Sequence, residues 1–369
     1  MRRLVALLVV VAAGVVVAGL FLPSPAATVG ASSISRQALD SDLSAIASSP
    51  DYTCFLGEER QLSGAGTLPF LGAGTASAQG GVYDTTFVDG WLSSMITDRI
   101  ATQVVERHRI DVTAADVSVG RALLSRRISA VLAQYARDAG SPQPGCGGSG
   151  SVVLGSLPAW FVAEQSRNEA NQALLDARAV GTGLSPGSLA GYFRTHRTTF
   201  AKDCLDIIVV RTRAAAGAVE TALGKGATFA QEAAAASLTK GSAAQGGVAG
   251  CGMLAGSFLS PEVAKLAVGQ TSAPFSGQGV FWVVRLTSRS PVSFASVHGT
   301  VVTTVVDAGQ QLADTQLTAT LRHTAVTVDP RYGRAGARGV ALVTPPASPP
   351  VATLLSPRAD QPAVTAANA

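Results

Sequence analysis

The sequence predicts an α+β protein, a helical region interrupted by a small unit of strands and helices. Three observations lead there. Two apolar, β-branched runs, Cys204–Arg211 and Val280–Leu286, read as strands. Between them lie an alanine-rich helical stretch, a glycine loop from Gln245 to Cys251, a short helix from Pro261 to Ala267 and the phrase Gly269–Pro274. Two strands framing two helices and a glycine turn make one small α+β unit, and the roughly ninety residues from Phe200 to Pro291 are enough for one core. On both sides of this unit apolar residues recur every three or four positions, the period of helices with one buried face.

The other elements follow in order. Thr28 to Ile34 reads as strand, turn and strand, and Ser35 caps a helix carrying Leu39, Leu43 and Ile46. Gly57 to Gly81 is rich in Gly, Ser and Ala and reads as loop. A long helix begins near Thr85 and runs through Trp91, Ile96, Ile100 and Val104 to His108; another, capped by Thr113, continues through Leu124 and Ile128 to about Ala136. Gly140 to Gly150 is a loop around Cys146, and Pro158 to Ala179 is a helix with Trp160 and Phe161. Trp91, Trp160 and Phe161 are expected in the core. Ser185 with Pro186 starts the helix that leads through Tyr192, Phe193 and His196 to Phe200. His196 is expected at the surface or as a cap, and the same holds for His108, His298 and His323. After Pro291 a helix from Phe294 to Leu321 precedes a strand, Ala325–Val328, expected to pair with the N-terminal strands. Ala335 to Ala369 is rich in Pro, Ala and Val and is expected to build no core.

Of the 369 residues, 47% are hydrophobic, 5% aromatic and 14% charged, with a net charge of +4 and no basic run, which argues against nucleic-acid binding. The N-terminus carries Arg2 and Arg3, then nineteen uncharged residues from Leu4 to Leu22, then small residues from Pro23 to Ala27. This is an export signal, cleaved after Ala26 or retained as a membrane anchor. An even number of cysteines, Cys54, Cys146, Cys204 and Cys251, in an exported chain points to disulfides, and four cysteines allow three pairings. No Cys-x-x-Cys, P-loop, Gly-x-Ser-x-Gly or His-Glu-x-x-His occurs, and no metal or cofactor is expected.

The central stretch resembles the parvulin family of peptidyl-prolyl isomerases. The likeness rests on Phe229-Ala230 with Ala233 and Ser237, on Ser242-Ala243 with Gly246, Gly247 and Gly250, and on Leu266, Gly269, Ser272 and Pro274, in that order and spacing. The flanks resemble exported chaperones of the SurA and PrsA group, through Ile34 to Leu43, Tyr192 to Phe200, and Asp329 to Gly333. The resemblance implies a helical SurA-like chaperone domain (28–195, completed by 292–334) with an inserted parvulin-like domain (196–291), between an export segment (1–27) and a tail (335–369). It also implies the disulfides Cys204–Cys251, inside the parvulin-like unit, and Cys54–Cys146; buried free thiols are the alternative.

Parvulins carry one histidine in the first strand and a second eight residues after the Ser-x-Pro proline; here those positions hold Asp206 and Trp282. The family's cysteine or aspartate falls near Thr239 or Lys240, and its acidic residue after the double glycine is Val248. No catalytic residue is therefore assigned. Isomerisation needs no nucleophile or cofactor, only a pocket that binds the twisted amide better than the planar one, so activity is expected to be weak or lost. Trp282 reads as a strand residue buried in the core of this unit or, as the functional alternative, as the wall of a client-binding groove with Leu254, Leu259 and Phe275 as neighbours. The implied partners are unfolded or proline-containing exported polypeptides. The alternatives are a chaperone without isomerase activity and a cell-envelope scaffold that keeps only the fold.

Overall fold

The computed structural model describes residues 25–62, 85–139, 146–336 and 343–344. The expected export segment Leu4–Leu22 lies outside the described residues, as do most of the 57–81 loop and most of the tail. Among the described residues, no helix is long and apolar enough to cross a membrane. The fold is α+β and divides into two compact units, one of residues up to 111, 121–169 and from 315 on, the other of residues 112–120 and 170–314.

The first unit is mostly helical. Strands β1 (Ala27–Val29) and β2 (Ser32–Ile34) form a hairpin, and β7 (Val326–Val328) adds antiparallel to β1, giving the order β2-β1-β7. The expected pairing of the Ala325–Val328 run with the N-terminal strands is therefore present. Arg36 and Asp329 form an ion pair beside this sheet. Helix α1 (Arg36–Ala47) starts at Ser35, whose side chain accepts a hydrogen bond from the Ala38 amide, satisfying one of the unpaired first-turn donors. Helix α2 (Pro50–Leu62) overturns part of the sequence reading: Gly57 to Leu62 is helix, not loop. Its composition hides it, since Gly57 interrupts a polar stretch and only Tyr52 and Phe55 mark the buried face. Helices α3 (Thr85–Arg107), α4 (Ala114–Ala139), α5 (Gly150–Gly155) and α6 (Ala159–Ala179) follow. Trp91 stacks on Phe87 and Phe161 in the core. Trp160, expected there too, is 47% exposed, because its neighbour Phe161 takes the inward position on α6.

The second unit centres on a four-stranded antiparallel sheet in the order β4-β3-β6-β5. Helix α7 (Pro186–Thr195), capped by Ser185, leads into β3 (Lys202–Val210). His196 caps α7 and stacks on Tyr192. Helix α8 (Arg213–Gly224) starts at Thr212 and α9 (Phe229–Ala236) at Thr228, which forms a capping box with Gln231. After α10 (Lys240–Ala244), the expected glycine loop is largely strand β4 (Val248–Met253), held against β3 with the Cys204–Cys251 disulfide bridging paired residues. The short helix expected at 261–267 is α11 (Ser260–Val263). Strand β5 (Phe275–Gly277) turns directly into β6 (Val280–Ser290), whose partner is β3 over its whole length. Helix α12 (Phe294–His323) closes the unit and ends in the first one. In the tail, β8 (Arg334–Ala335) pairs with β9 (Val343–Thr344), and Val343 is buried, so the core-free reading does not hold at that residue.

Candidate functional site

The pleat of β3 and β6 sorts their side chains onto two faces. On one face Ile208, Val210 and Val283 pack with Ala216, Val219, Phe229 and Ala233 from α8 and α9. On the other, Leu205, Val284 and Leu286 pack with Val263 and Leu266. Leu254, Leu259, Phe275 and Trp282 all lie on this second face, half-buried against that cluster. The structure thus brings together the four residues expected to wall a groove.

Phe258 completes this surface and is absent from the sequence reading. Its ring meets Trp282 edge-on, with centroids 5.1 Å apart, and it is 38% exposed. The indole is fixed by donating from Nε1 to the Gly277 carbonyl at 3.0 Å. Gly277 is required for the contact, since a Cβ there would lie 2.7 Å from the Phe258 ring. Phe258 was visible as an apolar residue between Leu254 and Leu259, but only the fold shows that it covers a glycine on a distant strand.

Asp206 is not beside Trp282. It faces the helix-covered side, one residue out of phase with Ile207, and pairs in register with Arg285. The Arg285 guanidinium donates from Nε to Asp206 Oδ2 at 3.0 Å, and lies 4.7 Å from the centroid of the Phe229 ring. Asp206 and Trp282 therefore point to opposite faces of the sheet. Asp203 repeats the device: Arg289 donates to both of its carboxylate oxygens at 2.8 and 3.0 Å, and also to the carbonyls of Leu266 and Val263. Both carboxylates are buried, which such charge-assisted pairs permit.

Thr239 belongs to a chain of hydroxyls. The Val209 amide donates to Ser237 Oγ, which shares a hydrogen bond with Thr239 Oγ1 at 2.9 Å; Ser242 Oγ donates to Thr239 Oγ1 at 2.7 Å. Every hydroxyl there is engaged in local structure. Lys240 and Val248 are exposed.

The helical unit offers a second feature. A cavity of about 630 Å³ is lined by Arg36, Asp40, Ser41, Ser44, Pro158 and the exposed Trp160. The same unit holds carboxyls whose protons are held by burial. Burial pushes Asp42 up to about 6, opposed by the hydrogen bond from Trp91 Nε1 at 3.0 Å and reinforced by Glu164. Asp98 is pushed up to about 7 by burial and then by Glu169, against the pull of Arg127. Asn168 donates to Asp98 Oδ2 at 3.1 Å, and Arg127 lies 3.4 Å from Glu169, itself raised by burial.

No protein-family model and no curated protein matches the sequence. Solved structures do. A peptidylprolyl isomerase (PrsA) from Bacillus anthracis is 15% identical, with 63% of this chain and 96% of that chain covered, at a TM-score of 0.34. The parvulin domain of PpiD from E. coli is 30% identical, with 25% of this chain and 91% of that one covered, at a TM-score of 0.23. A SurA-like chaperone from Campylobacter jejuni is 16% identical, with coverage of 63% and 94%, at a TM-score of 0.23.

Proposed function

We propose that this protein is an exported folding factor that binds unfolded chains through apolar surfaces, with prolyl isomerase activity weak or absent. What carries this reading is the pair of positions at which parvulins place histidines. One holds Asp206, tied to Arg285; the other holds Trp282, whose ring joins Phe258, Phe275, Leu254 and Leu259 on the opposite face. An X-Pro bond isomerises over a high barrier, and a catalyst must favour the twisted amide over the planar one. An aromatic surface with an engaged indole offers apolar burial, which planar and twisted forms share, and few polar groups to tell them apart. Such a surface holds extended, apolar chain segments, and proline rings among them. The sequence likeness to exported chaperones and the predicted export segment support action outside the cytoplasm. The clients are then polypeptides met during export, before they fold.

The test is a protease-coupled isomerisation assay on proline tetrapeptides, run beside an aggregation assay on a denatured client. The expected outcome is an isomerisation rate at the uncatalysed background and suppressed aggregation, with suppression weakened several-fold by Trp282→Ala. A rate well above background that Trp282→Ala or Leu259→Ala abolishes makes the protein an isomerase with an unusual site. No rate and no suppression leaves a cell-envelope scaffold.

A further inference from the structure

We propose that the Cys54–Cys146 disulfide is redox-active, and that Glu58 is the acid that protonates the Cys146 sulfur when an external thiol opens the bond. Cys54 and Glu58 stand four residues apart on α2 and so share a face of the helix. Glu58 Oε1 lies 3.0 Å from Cys146 Sγ and 3.9 Å from Cys54 Sγ. With the sulfurs joined, neither has a hydrogen to donate, so the carboxyl faces two acceptors. Its other oxygen, Oε2, is buried and has no hydrogen-bond partner among the described residues, and the whole residue is 3% exposed. Such a group is costly to keep unless something uses it. Opening the disulfide gives it a partner, because a thiol at Cys146 is a donor and a thiolate there accepts the carboxyl proton.

The surroundings leave this carboxyl to the sulfurs. Helix α2 itself carries Asp51 and Glu59, and the Asp51 carboxylate lies beside Gly147. Helix α5, packed against α2, has no ionisable residue. Helix α1, also packed against α2, brings Asp40, Arg36, which is bonded to Asp329, and Asp42, which is bonded to Trp91; α6, whose Phe161 meets Tyr52 of α2, brings Glu164, Arg167 and Glu169, the last paired with Arg127. Burial raises the affinity of Glu58 for its proton. The second disulfide is the contrast: the carboxylates flanking Cys204, those of Asp203 and Asp206, are held by Arg289 and Arg285.

The step balances as follows. The thiolate of a small or polypeptide thiol attacks Cys54 Sγ and forms a new S–S bond to it. The Cys54–Cys146 bond breaks, its electron pair leaves on Cys146 Sγ, and that sulfur takes the proton of the Glu58 carboxyl. A second external thiolate then attacks the external sulfur of the mixed disulfide, releasing Cys54 and one external disulfide; two thiols have supplied two electrons. In reverse, the Glu58 carboxylate removes the Cys146 proton, the Cys146 thiolate displaces the external thiol from Cys54, and the protein regains its disulfide while one external disulfide is reduced to two thiols. Both cysteines are half-buried. The rate of such exchange depends on how well the leaving sulfur is stabilised, which is where an adjacent acid acts.

In the test, the full chain is incubated with reduced glutathione from pH 5 to 9, trapped by alkylation, and each disulfide is followed by mass spectrometry. The Cys54–Cys146 rate, divided by the glutathione thiolate concentration, is expected to fall as pH rises and Glu58 loses its proton. The same quotient for Cys204–Cys251 is expected to stay level. Glu58→Gln is expected to slow opening of Cys54–Cys146 at pH 6 on the order of tenfold, to remove its pH trend and to leave Cys204–Cys251 unchanged. A level quotient for Cys54–Cys146 in the wild-type protein overturns the proposal, whether or not the variant folds. So does a bond that opens no faster than the whole chain unfolds, measured by circular dichroism.

Discussion

Asp203 and Arg289 show what a single buried pair does for the sheet. Asp203 is 2% exposed, and the guanidinium that neutralises it also holds the Leu266 and Val263 carbonyls, joining α11 to β6. Removing one partner leaves an uncompensated buried charge. Asp203→Ala is therefore expected to destabilise the sheet unit by about 3 kcal/mol in urea unfolding, with early hydrogen exchange around 263–266. The acids of the helical unit act through pH instead. Asp42 and Asp98 have folded-state values near 6 and 7, above the ordinary carboxylate value of 3.8. Between about pH 4 and 7 the folded state thus holds protons that the unfolded chain has lost, so stability contributed by these groups falls as pH rises through that window. Melting at pH 5 and pH 7.5 checks this, and Asp98→Asn is expected to reduce the drop by a few degrees. Residue identity was legible where a motif set it: the two replaced histidine positions are plain in the sequence. That Asp206 and Trp282 face opposite sides was not, because it follows from the pairing of Asp206 with Arg285, three residues from Trp282 along β6, and no local pattern states that register. Glu58 was equally hidden, since nothing in its own stretch says that Cys146 will arrive beside it.

At the scale of elements, β4 depends on two devices. All of its residues but Gly252 are exposed, so it has little burial of its own. One device is the disulfide from Cys251 to Cys204, closing a separation of 47 residues. Replacing both cysteines by Ala is expected to cost about 2–4 kcal/mol and to raise hydrogen exchange first at Val248–Met253. The other is Gly247, at φ +97°, where a Cβ would lie 2.9 Å from the Phe229 ring and 3.3 Å from Ala233. Gly247→Ala combines backbone strain with a clash against a packed ring, and is expected to cost about 1–3 kcal/mol in denaturant unfolding. The long elements were readable because period and cap agree: Ser35, Thr113 and Ser185 each precede an apolar face, and each side chain accepts a first-turn amide. The short ones were not. Strand β5 is three residues long and β4 is rich in glycine, so both owe their existence to β6 and β3 rather than to local preference. Helix α2 was lost for a related reason, as it packs against α1 and α5 while its own sequence carries few apolar residues to mark a buried face.

At the scale of the whole molecule, the resemblance implied that the sheet unit is an insertion, and the strand register says how such an insertion is closed. The chain enters the sheet at Lys202 and leaves it at Ser290, and these two residues are register partners on neighbouring strands β3 and β6. Entry and exit therefore lie about one strand spacing apart, roughly 5 Å. A short linker bridges that distance, and the excursion between them carries its own two-faced core and its own disulfide. The first unit is closed independently, by β7 returning to β1 and by the Cys54–Cys146 bond. Replacing residues 202–290 with a few glycines and serines is accordingly expected to leave a chain that folds cooperatively and forms Cys54–Cys146. The excised 200–291 segment is expected to fold alone with Cys204–Cys251 formed. Circular dichroism melts and thiol counting on both pieces check it. A deletion chain that melts without cooperativity and keeps free thiols means that the sheet unit is structurally required, and that the two units arose as one fold. If both pieces fold, aggregation assays on each separate the Trp160 cavity from the Trp282 surface as the place where the proposed clients would be held.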